Sequence, residues 1–293
     1  MNEREARISE IEEAMTRHDF WADVGKAQAM IKELQELKDA QEGLGKYDRA
    51  DAVVTIFSGA GGDDSEDFSG MLVRMYFKYC ERRGWGYQVV HANENDHGGY
   101  RNITFEIDGK GSYGDLKGES GVHRLVRISP FNANAKRHTS FSMVEVIPRF
   151  KKGEITPLPE AEVRLEFARS GGAGGQNVNK RETAVRAIHE PTGLSVHASN
   201  ERSQLQNREH AIDLLTAKVH HLRESLSDAE KEKMYISKTT QVEWGNQIRS
   251  YVLHPYKMVK DHRTLVETSN VDKVLEEGDL DVFIEAEKNL PQS

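Results

Sequence analysis

The sequence has a single cysteine, Cys80, and no stretch of apolar residues that approaches the length of a membrane span. One cysteine excludes a disulfide framework within the chain, and it also excludes metal sites built on paired cysteines. Hydrophobic residues make up 37% of the chain and charged residues 30%, which is typical of a polar-surfaced globular protein. The first residues are highly charged, so we expect no signal peptide and a cytoplasmic protein.

The chain also lacks an excess of positive charge, since 40 lysines and arginines stand against 48 aspartates and glutamates and the formal net charge is −8 at pH 7. That balance argues against a nucleic-acid partner, but the distribution of the charges matters more than their sum. Residues 1–50 and 271–293 are acidic, whereas residues 121–150 hold five basic side chains against one acidic side chain. This basic segment is where we expect the chain to meet phosphate groups.

Hydrophobic periodicity and turn residues predict helices and short strands in alternation. The predicted helices are 3–16, 24–42, 65–83 and 207–233, and the predicted strands are 52–57, 86–91, 101–108, 141–150, 161–168, 183–189 and 194–198, with a further strand and a short acidic helix at the C-terminal end. We expect Asp63, Asp64 and Ser65 to cap the third helix, Gly84 to end it and Cys80 to lie on its buried face.

The order of these elements predicts an α+β protein with several domains. Residues 1–44 are predicted to form a short helical hairpin, and residues 45–150 a mixed α/β domain that residues 250–293 complete. A proline-containing linker at 151–160 precedes a separate α+β domain at 158–245.

A glycine-rich loop, "RSGGAGGQNVNKRETAVR", follows the first strand of that last domain. A tight turn would explain an isolated pair of glycines, but this cluster is denser. A phosphate-binding loop requires Gly-Lys-Ser/Thr at its end, whereas this loop has Gly175-Gln176-Asn177. The dinucleotide fingerprint requires a third glycine where Asn177 stands, so nucleotide binding is not favoured.

The alternative is that the loop presents Gln176 itself. A neutral amide cannot act as a general base, but it can position a water molecule, and a neighbouring backbone N–H can stabilise a developing oxyanion. Glycines before Gln176 would let the backbone enter a crowded cavity that belongs to another molecule. This interpretation predicts a probe inserted into a foreign active site.

Four segments together resemble bacterial class I peptide chain release factors. They are "GGQ" at 174–176, "GVHRLVRISPFNANAKRHTSFSMVEVIP" at 121–148, "WGNQIRSYVL" at 244–253 and "DHRTLVET" at 261–268. The resemblance covers roughly residues 45–293, in order. It implies that Gly174, Gly175 and Gln176 trigger hydrolysis of the peptidyl-tRNA ester and that the Gln176 amide is methylated at N5.

The same resemblance implies a codon-recognition role for Ser129, Pro130 and Phe131, in the form found in members that read UAA and UGA. It extends that role to Arg137, His138 and Thr139, and to the helix tip at Gly62, Asp63 and Asp64. The family usually has Thr-Glu where this chain has Asp63-Asp64, so a glutamate contact would be shortened here. On the residues alone, the tripeptide would be an ordinary turn and His138 a surface histidine.

The family implies the ribosome, both its subunits, a stop codon in mRNA and the P-site peptidyl-tRNA as partners, with no cofactor, no metal and no membrane. It also implies a glutamine methyltransferase. A class II release-factor GTPase is expected to interact weakly, because the N-terminal hairpin is short. The chain between Phe131 and Gln176 is 176 − 131 = 45 residues long and could span roughly 150 Å. One factor could therefore contact the codon and the peptidyl-tRNA ester at the same time. The family implies that the factor acts together with the ribosome and is not a stand-alone enzyme.

Two alternatives remain at this stage. A ribosome-rescue hydrolase or a specialised factor with relaxed codon dependence would share the Gly-Gly-Gln domain, but rescue proteins lack a codon-reading domain. A non-catalytic ribosome-binding factor would have no use for the intact Gly174-Gly175-Gln176 motif.

Overall fold

A computed structural model describes residues 3–17, 20–41, 44–45, 47–150, 155–169, 183–225 and 246–290. The chain divides into two compact units, Met1–Arg49 and Ala50–Ser293. The Gly174-Gly175-Gln176 motif lies outside the described residues, as does the end of the predicted helix beyond residue 225.

The first unit is the predicted helical hairpin. Helix α1 spans Glu3–Met15, a 3-10 turn spans Phe20–Ala22, and helix α2 spans Val24–Gln41. Among its described residues, the buried apolar side chains are Ile11, Ala27 and Leu34. An ion pair between Arg7 Nε and Glu33 Oε1, at 2.7 Å, joins the two helices. So small an apolar core gives the hairpin little stability of its own.

The second unit is built on two sheets, a large mixed sheet and a small antiparallel sheet. Its strands are β1 Ala52–Ser58, β2 Gly86–Glu94, β3 Tyr100–Asp108, β4 Gly121–Ile128, β5 Arg137–Pro148, β6 Val163–Ala168, β7 Ala184–His189, β8 Ser195–Ala198, β9 Gln247–Val252, β10 Met258–Asp261 and β11 Glu267–Thr268. Eight of them form one sheet in the order β11-β10-β9-β4-β5-β1-β3-β2, and β6-β7-β8 form the other. Within the large sheet β4 and β9 are parallel, so the C-terminal segment joins the sheet beside a strand from the middle of the chain.

Helix α3, Asp63–Arg83, packs on the large sheet. Its buried face repeats every three or four residues and includes Phe68, Leu72, Met75, Tyr76 and Tyr79. Cys80 lies on this face, as the sequence predicts. The helix ends at Gly84, which adopts the left-handed conformation, as predicted. The predicted N-cap was wrong: Gly62 occupies the cap position without a side-chain hydrogen bond, and Ser65 Oγ instead donates to the carbonyl of Gly62 at 2.7 Å.

Three shorter helices complete this part, namely α4 Ser112–Leu116, then α6 Val271–Glu277 and α7 Asp281–Lys288 near the C-terminus. Arg82 of α3 donates from Nη1 to the Gly278 carbonyl at 2.7 Å and from Nη2 to Asp281 at 2.8 Å. The C-terminal helices are therefore tied to α3 as well as to the sheet.

Several features differ from the sequence prediction. The C-terminal part has three strands, β9 to β11, and two helices, α6 and α7, where one strand and one short helix were predicted. Strand β4 was not predicted, and β5 begins at Arg137 rather than at residue 141. The pattern of β4 is obscured because its polar residue His123 is completely buried, where Nε2 bonds the Glu119 carbonyl at 3.0 Å. A buried polar position inside a strand breaks the alternation on which the prediction depends.

The small sheet is covered by helix α5, Gln204–Ser225. Ala211, Leu214, Leu215 and Val219 of α5 are buried in a cluster that also contains Val185 and Val196 of the sheet. The same cluster includes Val53, Val90 and Ile147 of the large sheet, so the two sheets share one continuous apolar core. The helix starts three residues before its predicted beginning.

Candidate RNA-reading site

The predicted codon-recognition residues come together at two neighbouring places in the fold. Strands β4 and β5 form a hairpin in which Ile128 is paired with Arg137, Arg127 with His138 and Val126 with Thr139. Ser129, Pro130 and Phe131 begin the connecting loop, which the Ser129 N–H closes by donating to the Lys136 carbonyl at 3.1 Å. The N-terminus of α3 lies beside this loop.

The segment before α3 is attached to the hairpin through the backbone. The Gly59 N–H donates to the Phe141 carbonyl at 2.8 Å, and the Phe141 N–H donates to the Ala60 carbonyl at 3.2 Å. Gly61 has a φ of 141°, and a Cβ there would lie 3.1 Å from Ser140 Oγ. This close approach favours glycine and leaves Gly62 and Asp63 exposed at the helix tip.

Asp64 is the centre of the polar contacts in the site. Its side chain is only 5% exposed. One carboxylate oxygen, Oδ1, accepts from Arg127 Nη2 at 3.1 Å, and the other, Oδ2, accepts from His138 Nδ1 at 2.9 Å. The carboxylate faces the protein in this arrangement, and the contact of this side chain with a base stays a prediction. Asp64 therefore holds the site together from inside.

The pKa of Asp64 lies below its usual value. Burial alone would raise that pKa, but hydrogen bonds from Ser129, His138 and Arg127 together with the Arg127 charge outweigh it. The carboxylate therefore stays ionised at neutral pH, and it can accept several hydrogen bonds at once.

Arg127 is a member of the site that the sequence did not predict. Its guanidinium Nη2 lies 2.6 Å from Asp67 Oδ2 as well as 3.1 Å from Asp64 Oδ1. Asp64 and Asp67 are three positions apart on one helix, so both carboxylates face the same strand. That spacing, with an arginine two residues before Ser129, is the signal that could have identified the contact.

Ser129 is 3% exposed, so its hydroxyl is engaged within the protein. Ser129 Oγ accepts from the Phe131 N–H at 3.2 Å and donates to the Asp64 carboxylate. These two bonds fix the turn and direct the Phe131 side chain outward, where it is 40% exposed. Pro130 and Thr139 are exposed beside it.

His138 is held at both ring nitrogens. Asp64 accepts from Nδ1, and Asn132 Nδ2 donates to Nε2 at 3.2 Å, an arrangement that fits a neutral ring with its proton on Nδ1. The side chain keeps 39% of its surface exposed, so its ring remains accessible for stacking. Asn132 was also not predicted, and it connects the loop to the strand that carries His138.

The loop with the Gly-Gly-Gln motif is described only at its two ends. Ala168 at the end of β6 is paired with Ala184 at the start of β7, so the chain leaves and re-enters the small sheet at neighbouring positions. Gly174, Gly175 and Gln176 lie between these ends, outside the described residues, and their role stays a prediction.

Within the described part of the chain, no three or more His, Cys, Asp or Glu side chains form a group suited to a metal ion. No helix among those residues combines the length and the apolar character that crossing a membrane requires.

Comparison with known proteins finds a family match for each of two segments of the chain. Residues 42–144 match the model of the PCRF domain, and residues 152–263 match the RF-1 domain. Peptide chain release factor 2 of Clostridium perfringens is 44% identical over 294 residues, which cover 99% of this chain and 80% of the relative. Peptide chain release factor 2 of Thermotoga petrophila is 46% identical over 268 residues, covering 89% of this chain and 72% of the relative.

A solved structure, RF2 of Thermus thermophilus, has a TM-score of 0.74 and 32% identity, covering 98% of this chain and 95% of that one. The chain belongs to the peptide chain release factor family. The α+β, multidomain fold and the resemblance predicted from the sequence are confirmed.

Proposed function

We propose that this chain terminates translation by recognising UAA and UGA in the ribosomal A site and triggering hydrolysis of the peptidyl-tRNA ester. The observation that carries the proposal is the Asp64 cluster, which joins the tip of α3 to the Ser129–Phe131 turn and to His138. In a chain of this family, such a cluster connects the helix tip, the turn and the strand that carry the proposed codon-recognition residues.

The surface has the chemistry that recognition of single-stranded RNA requires. Unstacked bases are bound by flat side chains and by hydrogen bonds at their edges. Phe131 and His138 present partly exposed rings, and Thr139 presents an exposed hydroxyl. Together they offer stacking and edge contacts to the second and third bases.

The first base is assigned to the tip of α3. The first N–H groups of a helix have no partner within the helix, and they carry partial positive charge. No side chain caps this end, and Gly62 and Asp63 are exposed there. The oxygens of a uracil are hydrogen-bond acceptors, so they suit these donors without any contact from Asp64.

Hydrolysis is assigned to Gly174, Gly175 and Gln176, with the ribosome's peptidyl transferase centre supplying the rest of the catalytic site. Gln176 would position the attacking water, and the backbone beside it would stabilise the developing oxyanion. On this proposal the chain is a cytoplasmic translation factor and not a stand-alone enzyme. Its further partners would be a methyltransferase that modifies Gln176 at N5 and, weakly, a class II release-factor GTPase.

The proposed domains follow the division between codon recognition and ester hydrolysis. Residues 45–150 with 250–293 would recognise the codon, and residues 158–245 would deliver the Gly-Gly-Gln motif. In support, β9, β10 and β11 lie in the large sheet, and β6, β7 and β8 form their own sheet.

The test is peptide release from purified ribosomes that carry a labelled P-site peptidyl-tRNA and UAA, UGA, UAG or a sense codon in the A site. We expect release at UAA and UGA only. Release at UAG would overturn the codon assignment, and release at the sense codon would instead support a rescue factor with relaxed codon dependence. The match to the PCRF domain at 42–144 disfavours that alternative.

A further inference from the structure

The turn between β2 and β3, residues 95–99, brings a second aromatic ring to the Ser129–Phe131 turn. The centroid of the His97 ring lies 5.6 Å from the centroid of the Phe131 ring, with the two planes inclined at 40°. His97 is exposed and Phe131 is 40% exposed. This β2–β3 turn is separate from every segment that carries the candidate site.

Hydrogen bonds to one asparagine fix the shape of the β2–β3 turn. Asn95 Oδ1 accepts from the N–H of His97 at 2.9 Å and from the N–H of Gly99 at 2.8 Å. The Asn95 N–H donates to the Gly99 carbonyl at 2.9 Å. An asparagine bonded in this way to residues just after it holds the backbone in a defined turn, so His97 has a set position at its tip.

The β2–β3 turn is also attached to the first turns of α3. Glu66 accepts from Asn95 Nδ2 at 2.8 Å and from Arg101 Nε at 3.1 Å. Gly99 is buried against this helix, where a Cβ would lie 2.6 Å from the carbonyl carbon of Glu66 and 2.7 Å from the backbone nitrogen of Asp67. Glycine at this position is therefore what allows the β2–β3 turn to approach the helix backbone so closely.

The same end of α3 anchors the β4–β5 hairpin through Asp64 and Asp67, which both contact Arg127. The β2–β3 turn with His97 and the β4–β5 hairpin with Phe131 are thus both attached to the same end of α3. The two rings meet because of these shared attachments, even though both lie on the surface.

We infer that His97 is a positioning residue for codon recognition, which holds the Phe131 ring in the orientation that the codon meets. The inference rests on the proposed function. An exposed ring that is already ordered by an aromatic neighbour loses less conformational freedom when it contacts a base. His97 would therefore strengthen codon-dependent binding without taking part in ester hydrolysis.

The test uses the full-length chain in the peptide-release assay at UAA and UGA, with the half-saturating factor concentration and the maximal rate measured separately. His97→Gln removes the ring, and His97→Phe keeps an aromatic ring. We expect His97→Gln to raise the half-saturating concentration about two- to tenfold, the range that an aromatic pair is worth, with an unchanged maximal rate. His97→Phe should stay within about twofold of the parent chain.

Two controls separate positioning from general damage. Asp96→Asn alters the exposed neighbour of His97 in the same turn, and it should leave both constants unchanged. In a chain that already carries Phe131→Ala, His97→Gln should have no further effect, because its partner ring is gone.

Three results would overturn the inference. They are an unchanged half-saturating concentration in His97→Gln, an increase of that concentration in His97→Phe as large as in His97→Gln, and additive increases when His97→Gln is combined with Phe131→Ala. The unsubstituted chain serves as the reference in every series. If it fails to release peptide at UAA and UGA, the proposed function fails, whereas normal release with no His97 effect removes only this inference.

Discussion

Asp64 and His138 lie 74 positions apart in the chain, and Asp64 Oδ2 is 2.9 Å from His138 Nδ1. This contact joins the first turn of a helix to the first residues of a strand. Because the same carboxylate also accepts from Arg127, the site depends on one buried charge rather than on several independent surface residues. We therefore expect codon specificity to be sensitive to a residue whose side chain is buried within the protein.

Asp64→Asn tests that dependence by keeping the shape of the side chain and removing its charge. We expect the free energy of unfolding to fall by about 1–3 kcal/mol, since hydrogen bonds to a buried charged group are lost. The half-saturating concentration at UAA and UGA should rise as well. Urea unfolding and the release assay measure the two effects. Asp63→Asn is the matched control, because Asp63 is exposed beside it, and equal behaviour of the two variants would contradict the role given to Asp64.

Ser129→Ala should weaken discrimination at the second base by about 1–3 kcal/mol, the worth of a good edge contact. The only hydrogen of the Ser129 hydroxyl is donated to Asp64, so a remaining lone pair of Oγ is what would contact the base. In the structure this hydroxyl also receives the Phe131 N–H, so the substitution should disturb the loop too. Ser129→Thr keeps the hydroxyl and provides the comparison. The ratio of release rates at UGA and UCA, which differ only at the second base, is the measurement, and an unchanged ratio in Ser129→Ala would move the discrimination to another residue.

Gln176→Ala should leave ribosome binding nearly intact and lower the rate of peptide release, because the side chain is assigned to the reaction and not to docking. Gly175→Ala should be at least as damaging if the backbone there has a positive φ or lies against RNA. Binding is measured by competition with labelled factor, and release under single-turnover conditions. Parallel losses of binding and release in both variants would contradict the assignment.

His197 makes the stability of the chain dependent on pH. Its pKa is lowered to about 4, first by burial and then by the neighbouring charges of His91 and Arg186. The His91 and His197 rings are stacked with centroids 5.0 Å apart, and the pKa of His91 is lowered as well. A histidine with a depressed native pKa takes up its proton more readily in the unfolded state. The folded state is therefore not penalised above the unfolded-state pKa, near 6.5, and the free energy of unfolding declines as the pH falls below that pKa.

We expect the unfolding free energy to fall by about 2 kcal/mol between pH 7 and pH 5 on account of His197 alone. His197→Gln should flatten that decline, whereas His254→Gln, at an exposed position, should not. Urea titrations at four pH values would measure the difference. A decline of equal size in His197→Gln and the parent chain would show that other groups are responsible.

Deletion of residues 1–43 should leave codon-specific release largely intact. All the described codon-recognition residues belong to the unit Ala50–Ser293, and the helical hairpin has a small apolar core of its own. We also expect the partner GTPase to stimulate the full chain only weakly. Multiple-turnover release with and without that GTPase, in the full and shortened chains, is the measurement. Strong stimulation that disappears on deletion would contradict this prediction.

Much of the fold could be predicted from the sequence because the relevant signals are local. The apolar stripe of α3 repeats within each turn, and Gly84 terminates that helix through its own backbone freedom. The Ser129-Pro130-Phe131 tripeptide and the Gly-Gly-Gln motif are short contiguous segments, so their resemblance to a family is visible without any structure.

The tertiary structure decided the contacts between segments that are distant in the chain. The burial of Asp64, its pairing with Arg127 and the approach of His97 to Phe131 have no local pattern. Each depends on where β4, β5 and the β2–β3 turn lie relative to the N-terminal end of α3. Strand β4 was not predicted because a polar residue is buried within it. A side chain's role is local when it is set by its own backbone and neighbours. It becomes a property of the whole fold when a charge must be removed from water, because only distant partners can then compensate for the lost hydration.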